Sequence, residues 1–330
     1  MITNFLMPRL ADMPILKRYS YKKAILFLFA LLFLFALPAF AATPSVAVIY
    51  PELRAPYNKI FSDIADGIEA QVNGRTKRYM LKKKYSALEL NQWLKKNEIK
   101  VCVALGVRGE TATYELANNI PVILGAVLTP KLITDTRSGI SLAPSPDKLF
   151  SKVKKLKHGV SKIIVVYNPS KTGWLIRNAR SAADKNGLEL ITYSTNSLSE
   201  SAKIYQEIFT RPDIKDVAIW LPPDSTSVDN RAVLSFILEQ SWAHGVAVFS
   251  SRLSHVNKGV LFAMYADNVK LGQSLGKAAL DELSGNRGKI IGMVPVEDLQ
   301  IAFNRRTAEH LGVNVSSAEL RNYDAVFPAK

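Results

Sequence analysis

KIIVVYNPSKTGWLIRNARSAADKNGLELITYS, residues 162–194, is the stretch on which the fold turns. Lys162 to Tyr167 is a continuous apolar, β-branched run, the signature of a strand buried on both faces. Amphipathic helical spacing follows over Thr172 to Lys185. Gly187 then stands where a helix ends in a left-handed residue, and a second apolar run occupies Leu188 to Tyr193. A strand, a helix of this length and a second strand predict a parallel pair joined by a crossover helix.

The same alternation extends in both directions. Downstream, a helix is predicted over Leu198 to Phe209, opened by a Ser197/Glu200 capping box, then a strand over Val217 to Leu221. A helix near Val228 to His244 closed by Gly245 and a strand over Val246 to Ser250 complete this half. Upstream, Val46 to Tyr50 is a strand, and Ile60, Phe61, Ile64, Ala65, Ile68 and Val72 recur at helical spacing. Tyr79 to Leu81 is extended, and Ser86 with Glu89 opens a helix through Leu90, Trp93 and Leu94. Ile99 to Leu105 and Pro121 to Ala126 are strands flanking a helix from Glu110 to Ala117. The alternation restarts near Ser141 to Ser145, where Pro146 takes a first helical position. Two consecutive α/β halves without a flexible linker predict a cleft, whose ligand groups lie beyond the carboxyl ends of the strands.

Residues 22–41, KKAILFLFALLFLFALPAFA, combine a basic start, an apolar run and an A-x-A ending, as a secretory signal does. The apolar part, Ala24 to Leu37, falls short of the roughly twenty residues that span a bilayer. Cleavage is therefore expected after Ala41, with a signal peptide over 1–41; left uncleaved, the segment would serve as a membrane anchor. The formal charge of +15 falls to +11 without this leader, with 38 basic against 27 acidic residues. Neither Lys82-Lys83-Lys84 nor the cluster Lys152, Lys154, Lys155, Lys157 carries interleaved aromatics or zinc spacing, so nucleic acid is not an expected partner. Cys102 is the sole cysteine, which excludes a disulfide framework and fits a bacterial periplasmic protein stabilised by packing.

Three motifs carry a resemblance: Val165-Val166-Tyr167-Asn168-Pro169-Ser170, Leu221-Pro222-Pro223-Asp224-Ser225-Thr226 and Ala247-Val248-Phe249-Ser250-Ser251. With Gly259 to Ala263, Asp267 through Gly272, and Ile301 to Leu311, they resemble in order and spacing the substrate-binding proteins of one ABC-transporter family. That family includes tryptophan- and phenylalanine-type binding proteins. The likeness is close over Asn168 to Val313 and general before it. It implies a type I periplasmic binding protein: two doubly wound parallel-sheet lobes joined by a three-segment hinge. The expected boundaries are 42–143 plus 266–288 for one lobe and 144–265 plus 289–330 for the other. It implies a monomer that closes over a small molecule and delivers it to an inner-membrane permease with an ATPase; a sensing subunit that signals to a membrane receptor is the second reading.

Asp224, Ser225 and Thr226 follow a strand and are expected to open a helix, where free N–H groups and the helix dipole favour an anion. Gly106 to Thr111 offers the equivalent loop in the first lobe, with Arg108 and Thr111 as polar groups. Tyr50, Tyr57 and Trp174 are candidates for an aromatic slot, with packing as their competing role. Asn168 and Ser251 stand just past their strands. Asp267, at the family's acidic position before the last long helix, is a candidate for an ammonium group or a helix cap. Where many relatives carry an acidic residue after the strand ending at Ser250, this chain has Arg252; the loop after Ala126 has Thr129 near the usual aspartate. Arg108 and Arg252 then predict an anionic or carboxylate-bearing ligand, amino-acid-like or another organic acid.

Gly272-Gln273-Ser274-Leu275-Gly276 matches the nucleophile elbow of serine hydrolases, with Asp281 and His310 in hydrolase order. The match falls inside a helical pattern, where Gly272 and Gly276 serve close helix packing instead, so a hydrolase is the remote alternative. His158, His244, His255 and His310 are scattered, and Cys102 sits in an apolar strand. No metal, cofactor or enzymatic activity is expected.

Overall fold

The computed structural model describes residues 46–55, 57–114, 116, 120–128, 138–286, 290 and 292–328. The expected signal peptide and Thr129 lie outside them. In chain order the strands are β1 (Val46–Pro51), β2 (Thr76–Leu81), β3 (Val101–Leu105), β4 (Val122–Gly125), β5 (Ser138–Pro144), β6 (Lys162–Tyr167) and β7 (Glu189–Ser194). There follow β8 (Val217–Leu221), β9 (Ala247–Ser250), β10 (Phe262–Ala266), β11 (Met293–Val296), β12 (Leu299–Asn304) and β13 (Ala325–Phe327). The helices are α1 (Tyr57–Gln71), α2 (Ala87–Lys96), α3 (Gly106–Tyr114), α4 (Pro146–Leu156), α5 (Pro169–Lys185) and α6 (Leu198–Phe209). The last five are α7 (Ala232–His244), α8 (Leu253–Val256), α9 (Asn268–Leu283), α10 (Arg305–His310) and α11 (Ser317–Leu320).

The strands form two sheets, ordered β11-β5-β4-β3-β1-β2 and β13-β12-β10-β9-β8-β6-β7. Every pairing in the first is parallel, and in the second only β12 runs antiparallel to its neighbour β10. Central strands read as apolar runs because helices cover both faces: β3 and β8 are buried at every position. Each buried Val, Leu or Ile there contributes roughly 2 kcal/mol by leaving water. Both sheets are doubly wound about their first strand, with the order reversing between β1 and β3 and between β6 and β8.

The chain passes between the sheets at three places: β5 to α4, β10 to α9, and β11 to β12. Backbone bonds tie these crossings together, Ser145 N–H to the Val296 carbonyl at 2.9 Å and Asp267 N–H to the Asp298 carbonyl at 3.0 Å. Helix α9 packs on the first sheet, where Leu271, Leu275 and Ala279 join Ile64, Ile68, Val48 and Val103 in one core.

Four expectations need correction. Residues 289–330 do not all belong with the second sheet, since β11 pairs with β5 at the edge of the first. The helix expected over Glu110 to Ala117 starts at Gly106, directly after β3, because Gly106 at φ 69° turns the chain without an intervening loop. The helix expected near Val228 starts at Ala232. Ser86 and Ser197 do accept from the N–H of Glu89 and Glu200, at 3.3 and 3.2 Å. The Glu200 carboxylate, however, reaches past Ser197 to Asn196 N–H, at 2.8 Å, and the reciprocal capping box is at Ser316 and Glu319.

Candidate functional site

In the second sheet, the loops after β6 and β8 meet across the reversal of strand order. Asp224 is 2% exposed, and its carboxylate is the joint between them. Oδ2 accepts from Asn168 N–H at 2.7 Å and from Thr172 Oγ1 at 3.3 Å, and Oδ1 accepts from Thr226 N–H at 2.8 Å. Asn168 in turn caps α5, its Oδ1 accepting from Ser170 N–H at 2.9 Å. Ser225 is exposed, while the Thr226 hydroxyl accepts from Lys171 Nζ.

Asp224 to Thr226 therefore form a turn and do not open a helix. The anion site expected there is filled by the chain itself: the Asp229 carboxylate accepts from the N–H groups of Arg231, Ala232 and Val233 at 3.1, 3.3 and 2.8 Å. Those backbone donors, Val233 foremost, hold its pKa below the ordinary carboxylate value.

The loop after β9 adds Ser250, Ser251 and Arg252. The Ser251 hydroxyl accepts from Trp220 Nε1 at 3.2 Å. The Arg252 side chain makes no hydrogen bond or ion pair among the described residues; its pKa is lowered by burial, against which the Asp224 carboxylate acts. Behind it, His255 is 1% exposed, with Nδ1 2.8 Å from Ser250 Oγ and Nε2 buried without a hydrogen-bond partner among the described residues.

Burial, reinforced by the charges of Arg252 and Lys258, depresses the His255 pKa from 6.5 to about 4. A histidine whose folded pKa lies below its unfolded value stabilises the fold fully above the unfolded pKa. That stability is lost as pH falls through the window from 6.5 to about 4. Wild type should lose about 3 kcal/mol more than His255→Asn across this window, read from urea midpoints at successive pH values.

In the first sheet, Arg108 lies in the first turn of α3 and donates from Nη1 to the Leu81 carbonyl at 3.1 Å, tying α3 to the end of β2. Thr111 donates to the Val107 carbonyl at 2.8 Å within the same helix. Tyr57, first residue of α1, is 65% exposed, and Tyr50 is half-buried against the core. Trp174 is 6% exposed within the large core cluster that contains Phe150 and Trp220, a packing position. Asp267 caps α9, accepting from Lys270 N–H at 3.2 Å and pairing with its ammonium, also at 3.2 Å.

The structure thus gathers Asn168, Asp224, Thr226, Ser251 and Arg252 at the strand ends of the second sheet, and Tyr50, Tyr57, Arg108 and Thr111 at those of the first. Lys171, Trp220, Ser250 and His255 complete the former without having been singled out beforehand. The signal available was position alone: Ser250 is the polar last residue of a predicted strand, and Lys171 stands four residues beyond another.

Ser274 lies in the middle of α9 and donates to Asp298 Oδ2 at 2.8 Å, while His310 Nε2 is 2.9 Å from the Trp242 carbonyl, beside whose ring its own is stacked. The elbow geometry is not assembled. A hollow of about 300 Å³ lined by Ile140, Ser274 and Val296 lies beside the crossings, and one of about 410 Å³ lined by Trp242 and His310 lies beyond the other end of the second sheet. Neither includes a residue of the candidate site. Among the described residues no group of three His, Cys, Asp or Glu could hold a metal, and no helix is long and apolar enough to cross a membrane. Burial pushes the Cys102 thiol up to about 12, so it is not a nucleophile at neutral pH.

Two doubly wound sheets, three tied crossings and polar groups at the strand ends define a two-lobed α/β fold of the type I periplasmic binding kind. The sequence profile of the ABC transporter substrate binding protein family matches residues 63–326, and the chain belongs to that family. The fold is similar to the ligand-free, open structure of a substrate binding protein with adhesive properties from Clostridium difficile, at 18% identity and a TM-score of 0.59. That match covers 86% of this chain and 99% of the other. It is also similar to an ABC domain in complex with L-Trp from Streptococcus pneumonia, with 18% identity, a TM-score of 0.53 and the same coverage. A conserved domain protein from Vibrio cholerae matches at 17% identity and a TM-score of 0.51, with 86% of this chain and 99% of that one covered. No curated protein sequence matches.

Proposed function

We propose that this substrate-binding protein works in the periplasm, captures a small carboxylate-bearing molecule between its two lobes and hands it to an inner-membrane ABC permease. The supporting observation is Arg252: a partly buried guanidinium at the strand ends of the second sheet, without a hydrogen-bonding partner among the described residues. A guanidinium stays charged at neutral pH, and its fork of donors fits a carboxylate. The Thr226 and Ser251 hydroxyls on the same surface would take further polar groups, and the strand ends of the first sheet, with Tyr50 and Tyr57, would close on the remainder. Binding shifts an open-closed equilibrium by making contacts with both halves at once, and no covalent step is needed. The L-Trp complex of the pneumococcal relative makes amino acids and aromatic acids the first compounds to test.

Calorimetry against amino acids and organic acids, each paired with its primary amide, tests the reading. The acids should bind and the amides should bind much more weakly. Arg252→Ala should cost the best acid roughly 10- to 100-fold in affinity, the range for a hydrogen bond to a charged group. Equal binding of acid and amide, or undiminished affinity in Arg252→Ala, would overturn it.

A further inference from the structure

We infer that Ser250 and His255 are positioning residues for Arg252, gripping its backbone so that the guanidinium is presented at the strand ends. The inference rests on the proposed role of Arg252 in taking a carboxylate. Strand β9 ends at Ser250 and α8 starts at Leu253, so only Ser251 and Arg252 span the junction. Arg252 is extended there, at φ −134° and ψ 122°. Its N–H donates to Ser250 Oγ at 3.1 Å, and its carbonyl accepts from His255 N–H at 3.2 Å. The ring closes through the Ser250 Oγ to His255 Nδ1 contact of 2.8 Å. Both peptide groups of Arg252 are thereby engaged by the same two residues, and the neighbouring Ser251 is fixed separately through its N–H to the Leu221 carbonyl at 3.1 Å.

The imidazole is an expensive way to fill this space. His255 is 1% exposed and leaves Nε2 without a partner among the described residues, a loss that an apolar side chain of similar size would avoid. What the imidazole supplies and a hydrocarbon cannot is the Nδ1 contact to the hydroxyl that holds Arg252 N–H. Neither Ser250, fully buried, nor His255 is exposed enough to meet a ligand, so both act through the arginine.

Ser250→Ala removes the acceptor, His255→Leu removes Nδ1, and His255→Asn returns a nitrogen at the reach of Nδ1. Two readouts are taken on the full chain: the phenylglyoxal modification rate of Arg252 by peptide mass spectrometry, with Arg108 as internal standard, and calorimetric titration with L-tryptophan and L-tryptophanamide. In Ser250→Ala and His255→Leu, Arg252 should be modified several-fold faster than in wild type. L-Tryptophan should bind about tenfold more weakly, with the amide little changed, and His255→Asn should restore both readouts. Unchanged Arg252 reactivity, equal losses for acid and amide, or no rescue by Asn would overturn the inference. If wild type binds neither compound, the ligand class proposed for Arg252 is at fault, and the modification rates alone decide the positioning role. Should His255→Leu fail to fold, Ser250→Ala compared with Ser250→Thr gives the same decision, because threonine keeps the hydroxyl.

Discussion

Gly272→Ala is expected to lower the unfolding free energy by about 3 kcal/mol, although alanine is the better helix former by roughly 1 kcal/mol. The cause is the crossing of α1 and α9. A Cβ on Gly272 would overlap the Ile64 carbonyl oxygen and come within 2.9 Å of Gly67 Cα, and a Cβ on Gly67 would overlap the Val269 carbonyl oxygen. These obstacles are backbone atoms, which cannot swing aside as a side chain can. The helices would have to part, opening the core that Ile64, Ile68, Leu271 and Leu275 fill. Gly173 is the control: it lies inside α5 with no atom of a described residue outside its own helix backbone within 4 Å of where an added methyl group would sit, so Gly173→Ala should stabilise by about 0.5–1 kcal/mol. Urea unfolding of both variants gives the test. Equal and small effects would mean that the crossing tolerates a methyl group and that the glycines are not there for close approach.

That crossing was legible in advance, because two glycines one turn apart on an apolar helical face have few other uses. The strands with unbroken β-branched runs were equally plain: β6 and β8 fall on the expected residues, and α6 begins and ends where its cap and apolar spacing placed it. Legibility failed where the signal is short. Strand β11 is four residues containing a proline, and β13 is three. Edge positions ask little of a sequence, so neither segment carries the long apolar run that marks a central strand.

The site was harder to read for a different reason. Asp224, Ser225, Thr226, Ser227, Asp229 and Asn230 are all credible helix caps, and composition cannot say which carboxylate receives the free N–H groups. The structure gives that part to Asp229 and turns Asp224 inward. Likewise, nothing in S-S-R-L-S-H announces that the histidine folds back under the serine. That contact exists only because a strand ends and a short helix starts within two residues.

Asp224→Ala should cost about 3–5 kcal/mol, much more than Asp267→Ala, although both aspartates stand just past a strand of the same sheet. The difference is burial and the number of donors left behind. Removing the Asp224 carboxylate, 2% exposed, strands the N–H groups of Asn168 and Thr226 and leaves the Thr172 hydroxyl only the Asn168 carbonyl at 3.4 Å, and each unsatisfied buried donor costs about 1–3 kcal/mol. Asp267 is a partly exposed cap with one backbone donor and one lysine, so its loss should cost about 1 kcal/mol. Asp224→Asn keeps one acceptor but turns an amide donor toward another N–H, and should fall between the two. Since Asp224 joins the loops that carry Asn168 and Thr226, its variants should also scatter the polar groups of the proposed site. Ligand affinity should then fall even at temperatures where the variant remains folded. Denaturant midpoints for the three variants, with calorimetry on the folded fraction, check both parts. A loss for Asp224→Ala no greater than for Asp267→Ala would show that water replaces the carboxylate and that the loop junction is not held by it.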